Sequence, residues 1–347
     1  MIKIQPGIMA KLRKAQTADD LKEFLQMAIE LEHSTIPPYL TAKFSLQKGS
    51  NEEIDQVIYS IVQEEMLHMT IAANILNAMG GSPAINTPDF IPNYPGPLPM
   101  NIGDSLVVGL EKYSKEVVKN VFMEIEEPED PLEFPGGTDS GTEEEEEFNT
   151  IGEFYMAIQE KIRQLPGGDN LPGSPQKQVT SSFFPADELF PIHTKTDAIN
   201  AIDIILEQGE GTSTMPTDEE GDIAHYYRFE ELYVGKRLVM SEGSYAYDGA
   251  AIPFDPATVY NIFPNTKASM LAEGTNERRF VDDFNAAYSR LLNGLHVTFN
   301  GQPDFLDRTL GLMYDVKLQG ERLCATPFPG KEGITIGPPF EYVPTTL

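Results

Sequence analysis

A mainly α-helical fold is predicted by three features of the chain. Two long runs near the N-terminus place apolar residues at helical spacing, further amphipathic runs recur between 145 and 323, and segments with strand-like alternation are few. In the first run, 18–48, Leu21, Phe24, Leu25, Ala28, Ile29, Ile36 and Tyr39 share one side at ~100° per residue. Pro37 and Pro38 interrupt it, and a proline removes a backbone donor and crowds the carbonyl four residues back, so a kink is expected near His33 and Ser34. The second run, 51–79, carries Ile54, Ile58, Ile61, Ala72, Ile75 and Met79 on one stripe and stops at Gly80 and Gly81. A short turn at 49–51 joins the two, which predicts an antiparallel pair.

From Ser82 to Gly141 prolines dominate and an extended connection is expected, broken by a short strand or helix near 105–122. The run Glu143 to Glu147 after Thr142 reads as the solvated start of a third helix over 145–163, since carboxylates in a first turn complement the helix dipole. A second proline-rich excursion, 166–191, leads to a short helix at 197–208, stopped by Gly209 and Gly211. No strand precedes that glycine pair and no lysine follows it, so it is not a phosphate loop. A fourth helix is expected over 217–240, with Tyr226, Phe229, Leu232 and Tyr233 inward. Residues 280–298 and 305–323 predict an added helical hairpin, and the Pro/Gly-rich tail from Cys324 is expected to drape over the surface.

The 347 residues carry 25 Lys and Arg against 54 Asp and Glu, a net charge of −29. Such a surface repels phosphate backbones and anionic bilayers, which argues against nucleic acid or a membrane as partner. The single cysteine, Cys324, permits no internal disulfide. The segment MIKIQPGIMAKLRKAQ lacks the apolar run of a signal peptide, and no stretch of ~18 apolar residues occurs, so a cytoplasmic protein is expected.

The chemistry concentrates on the second helix, where Glu65 and His68 fall on the apolar stripe with Ile58, Ile61, Ala72 and Ile75. A carboxylate and an imidazole in a core are costly unless paired or bound to a metal, and Glu-x-x-His lets one helix offer an oxygen and a nitrogen to one ion. Asp222-Ile-Ala-His225 repeats the pattern on the fourth helix. Glu32 lies between Ala28 and Ile36 on the first stripe, whereas Glu30 is turned about 160° away. A carboxylate-bridged dinuclear site takes one Glu from each of two helices and a carboxylate-x-x-His from each of the other two. The fourth contribution falls to the third helix. Its apolar face, Ile151, Phe154, Tyr155, Ile158 and Ile162, leaves Glu153 and Glu160 opposite, but Gly152, Met156 and Ala157 make the Glu153 side small and semi-apolar, and Glu153 is kept as the candidate.

The strings LEHSTIPPYLTAKFSL, QEEMLHM, FIPNYPGPLP, IGEFYMAI, EQGEGT and AHYYRFEEL resemble the ferritin-like domain family named for iminophenyl-pyruvate dimer synthase, over about 18–240; the closing GPPFEY is also similar. The resemblance implies a ferritin-like four-helix bundle with long Pro-rich crossover connections and an added C-terminal hairpin. It favours Glu32, Glu65, His68, Glu153 and His225 as metal positions, with Glu65 bridging. Position 222 is Asp where the ferritin-like pattern uses Glu. The expected organisation is a metal-binding bundle over 18–240, with 241–347 packed upon it.

Other candidates read as structure. His33 sits ~100° from Glu32 and is a boundary or outer-partner residue, while His193 and His296 lack a carboxylate at ligand spacing. Tyr39, Tyr155 and Tyr226 are core aromatics, Tyr226 also being placed beside His225, and Cys324 packs as a small apolar group. The expected ligand set is Glu32, Glu65, His68, Glu153, Asp222 and His225, holding two transition-metal ions, iron or alternatively manganese. The function expected is oxidation of a small, amino-acid-derived metabolite with O₂ or peroxide; a homo-oligomer is left open. The rivals are an iron-binding ferroxidase without organic substrate and a structural bundle whose buried ionisable groups pair with one another.

Overall fold

The computed structural model describes residues 4–101, 106–128, 131–138, 150–181, 183–211, 214–218, 221–241 and 243–346. The run Glu143 to Glu147, and with it the expected start of the third helix, lies outside the described residues. After α1 (Pro6–Leu12), the centre of the molecule is the pair α2 (Ala18–Ser45) and α3 (Glu52–Ala78), joined at 46–51. Thr17 and Asp20 form a reciprocal capping box that starts α2. The helix then continues through Pro37 and Pro38. Proline 38 cannot supply the amide that Ser34 carbonyl would normally receive, and the Tyr94 hydroxyl donates to that carbonyl instead, at 2.6 Å. From Leu31 to Tyr39 every α2 side chain is buried, so this stretch is wrapped on all sides instead of presenting one apolar stripe.

The remaining bundle is closed by shorter pieces. Residues 115–126 form α4 (Lys115–Val117), a π-helical turn (Val118–Phe122) and α5 (Met123–Glu126), extending the expected short element beyond 122. They are followed by α6 (Ile151–Gln164), α7 (Lys195–Glu210) and α8 (His225–Val234). On the α2–α3 pair, α6 and α7 pack against each other, and α8 packs against α3, α7, the π turn and α5.

The fourth helix is thus shorter than the 217–240 expected from its pattern. Upstream of it Thr217 and Ile223 pair across a β-bridge, the Asp222 amide donates to Asp218 Oδ1 at 2.8 Å, and the Asp218 amide donates to the Asp222 carbonyl at 3.0 Å. At the other end Gly235 adopts φ 86° and its N–H caps the Glu231 carbonyl, a left-handed conformation that stops the helix. A short hairpin follows, β1 (Val239–Ser241) with β2 (Ser244–Ala246).

The C-terminal hairpin, α9 (Asn276–Phe299) and α10 (Leu306–Cys324), packs against α3 and α2. The tail is not simply draped. Its strand β4 (Thr335–Ile336) pairs in parallel with β3 (Ile262–Phe263), residues 336–340 are buried, and the Phe340 ring sits 4.9 Å from Phe284 and 5.0 Å from Tyr288. Among the described residues no helix is long and apolar enough to cross a membrane.

Candidate metal centre

At mid-length of α2 and α3, Glu32, Glu65 and His68 are each 5% exposed or less, inside a core otherwise built of Ile, Leu and Phe. His225, the first residue of α8, is fully buried beside them. Its ring stacks on that of His68 with centroids 5.5 Å apart. The fifth member is Glu126, the last residue of α5, absent from the sequence-based set. Glu32, Glu65 and His68 can bring one ligand atom each within 4.8 Å of one another, and so can Glu65, Glu126 and His225. Glu65 belongs to both groups.

The outer contacts aim these groups. His68 Nε2 lies 2.9 Å from Gln208 Oε1, so its Nδ1 turns toward Glu32 Oε2, 3.6 Å away. His225 Nε2 lies 2.8 Å from Glu64 Oε2, leaving Nδ1 3.0 Å from Glu65 Oε1 and 3.5 Å from Glu126 Oε2. Despite those distances His225 Nδ1 has no aligned hydrogen-bond partner. An acceptor behind each imidazole fixes the tautomer that presents the other nitrogen as a lone pair. Tyr155 donates its hydroxyl to Glu32 Oε1, and Tyr39 donates to Glu126 Oε1. Burial, reinforced by the facing carboxylates, pushes both phenols well above their ordinary range, so they stay donors. Thr35 Oγ1 donates to Glu65 Oε2 at 2.6 Å. Glu32 and Glu126 therefore each have one oxygen held by a tyrosine and one facing inward.

Two residues of the sequence-based set lie elsewhere. Glu153 is not in the cluster: its carboxylate accepts the Thr150 amide at 2.9 Å while its own amide donates to Thr150 Oγ1, a capping box at the α6 N-terminus. Asp222 is exposed in the loop before α8, so His225 carries no i−3 carboxylate partner on its helix. Glu30 is half-buried against Gln26, outside the cluster. His33 faces the C-terminal hairpin, its Nε2 2.7 Å from the Tyr288 hydroxyl. The tyrosines that reach the centre are Tyr39 and Tyr155, not Tyr226.

Two buried carboxylates, the half-buried Glu126 and two buried imidazoles compensate one another in the metal-free chain. Burial first, then the Glu126 charge, raises the Glu65 carboxyl to about 7. Burial alone would lower both imidazoles, but the carboxylates facing them outweigh it: His68 is raised, and His225 is raised well above its ordinary value. A raised pKa contributes stability that is full below the unfolded value and lost as pH rises through the folded one. His33, lowered by burial to about 3, works in the opposite sense only below 6.5. Between pH 6.5 and 8 the metal-free protein is therefore expected to melt at progressively lower temperature, by several degrees. A divalent cation must displace these protons, so the metal-loaded protein should gain stability over the same window. Thermal melts of both forms check this, and parallel slopes would contradict it.

The donor set fits a pair of first-row transition ions. Ligand atoms converge in two overlapping triads, oxygen outnumbers nitrogen, and the buried His225 Nδ1 lacks an aligned partner within the protein. A cavity of about 40 Å³ adjoins the ligands, lined by Leu31, Ile125, Ile205 and Leu206 and reaching Glu127, Gly152 and Glu210.

The profile of the ferritin-like family matches residues 25–234, and the chain belongs to that family. A solved structure, the crystal structure of a ferritin-like protein from Caulobacter vibrioides, is 23% identical, with a TM-score of 0.57, covering 89% of this chain and 96% of that one. At that identity the likeness shows the shared fold. No curated protein matches the chain.

Proposed function

We propose that this protein is a metal-dependent oxidoreductase that holds two iron ions and acts with O₂ or peroxide on a small molecule. The observation that carries the reading is the pair of carboxylate–histidine triads sharing Glu65. Glu32 and His68 serve one position and Glu126 and His225 the other, with Glu65 between them. Iron suits this mixed oxygen and nitrogen set, manganese being the alternative. Bound there, iron supplies reachable oxidation states for electron transfer to O₂ or peroxide.

The protein residues bind, orient and shield. Tyr39 and Tyr155 hold the terminal carboxylates in place, and the walls of Leu31, Ile125, Ile205 and Leu206 keep bulk water from the ligands. A cavity of about 40 Å³ has room for ions and a few small molecules of the size of water or dioxygen. An organic substrate is therefore met outside this cavity and not enclosed beside the ligands. The similarity of the strings quoted above to the iminophenyl-pyruvate dimer synthase family supports an amino-acid-derived imine or indole as substrate class. The small cavity also favours a second reading, a ferroxidase with no organic substrate.

Oxygen uptake by anaerobically Fe(II)-loaded protein separates them. The oxidoreductase reading expects catalytic consumption of O₂ with a member of a panel of amino acids, indoles and imines. Consumption proportional to added iron alone, with mineral accumulating, establishes the ferroxidase. Absence of bound metal after anaerobic loading leaves the structural bundle.

A further inference from the structure

We infer that the two ion positions are made unequal by the acceptors behind their histidines, so that the Glu126–His225 position binds the first ion and the Glu32–His68 position the second. The inference rests on the dinuclear reading above.

The inner donors of the two positions match closely. Each has one carboxylate fixed by one tyrosine hydroxyl, one histidine presented through Nδ1, and a share of Glu65. The difference lies one bond further out. Behind His68 stands the neutral amide oxygen of Gln208, 2.9 Å from Nε2. Behind His225 stands the Glu64 carboxylate, 2.8 Å from Nε2. A carboxylate acceptor draws the Nε2 proton more strongly than an amide does, raising the electron density at Nδ1 and its strength as a ligand.

Glu64 is held for this task. The Arg228 guanidinium straddles its carboxylate, with Nη1 3.0 Å from Oε1 and Nη2 on Oε2, and Nη1 also lies 3.1 Å from Ser60 Oγ. Arg228 stands one residue before Phe229 on α8, the helix that His225 begins, so acceptor and imidazole are locked into one unit. The arginine lowers the net charge behind His225 without displacing the carboxylate from Nε2. Glu64 and Gln208 are thus positioning residues that act through the histidines. Replacing such an outer partner costs ~10–100-fold in metal affinity.

The test is stepwise titration of metal-free protein with Co(II), read by calorimetry and by the Co(II) visible spectrum. Two steps separated by about tenfold or more are expected in the wild type. His225→Ala should remove the tighter step and His68→Ala the weaker. Glu64→Gln, which keeps the shape and an acceptor for Arg228, should weaken the tighter step ~10–100-fold and shift its absorption band. Gln208→Glu should tighten the weaker step. A purely structural role for Glu64 would lower the melting temperature without changing the order of filling. Two equal steps in the wild type, or unequal steps that neither outer variant moves, overturn the inference while leaving the dinuclear reading intact. No Co(II) binding in the wild type overturns both.

Discussion

Glu65→Ala is expected to reduce the metal content of the loaded protein from two ions per chain to none. Glu65 is the one residue common to both triads, so its removal takes an oxygen from each position at once. By contrast Glu32→Ala and Glu126→Ala each remove a ligand of one position and should leave about one ion bound. The loss is not expected to reflect unfolding. Burial and the Glu126 charge work against the Glu65 carboxylate in the metal-free chain, while that carboxylate in turn faces and offsets His68 and His225, so the two effects of its removal oppose each other. A cooperative melt of metal-free Glu65→Ala at pH 7.5 checks that the variant remains folded. Glu153→Ala and Asp222→Ala serve as controls: the first costs a helix cap, ~1 kcal/mol, and the second alters an exposed loop, with both ions retained. Elemental analysis after anaerobic Fe(II) loading reads all five variants. One ion retained by Glu65→Ala would show that the carboxylate serves a single position.

Phe229→Ala is expected to destabilise the protein by about 3–5 kcal/mol, the cost of deleting a fully buried aromatic ring and leaving its cavity. Its position makes the consequence larger than packing alone. The Phe229 ring is 5.0 Å from Tyr39 and 5.2 Å from Phe122, which are themselves 4.7 Å apart. This triangle joins α8 to α2 and to the π turn that leads into Glu126. Loosening it frees the Tyr39 hydroxyl from Glu126 Oε1, so metal affinity at the Glu126–His225 position should fall together with melting temperature. Phe229→Leu, which retains most of the volume, should recover much of both. Denaturant melts and Co(II) titration on the two variants check the coupling; full loss of stability with unchanged affinity would separate the aromatic triangle from the centre.

The helical phase of α2 and α3 is legible because both are long and Glu32 precedes the prolines of α2, and it places Glu32, Glu65 and His68 inward where the structure has them. His225 was found for a weaker reason, since the periodicity of its helix was extended upstream over a loop. That extension also recruited Asp222, although Gly221 before it, with φ 94°, already marks a turn. Glu153 shows a competing signal passed over. Thr150-Ile-Gly-Glu153 has the spacing of a capping box, and the cap takes the carboxylate. Glu126 escaped because the short element was expected to end at 122. Phe122, Ile125 and Glu126 do share one helical face, but the π turn spends an extra residue between 118 and 122 and throws a 3.6-residue count from upstream off by ~100°. Glu64 illustrates a limit of another kind: periodicity separates it from Glu65 by ~100°, and only the arrival of His225 from a distant helix gives that side of α3 something to hold.

The shorter helices meet the centre with their ends. Glu126 closes α5, Ile151 and Gly152 open α6, Gln208 and Glu210 lie in the last turn of α7, and His225 begins α8. A continuous helix cannot gain or lose a residue near a ligand without rotating everything beyond it, whereas a seam between two half-helices can. Insertions and deletions in 127–150 and 211–224 can rebuild the approach to the carboxylate–histidine cluster while α2 and α3 keep Glu32, Glu65 and His68 in register. In a lineage of such proteins, the chemistry at the centre and the identity of the molecule brought to it are free to diverge separately, through chain length at the seams instead of substitutions in the core.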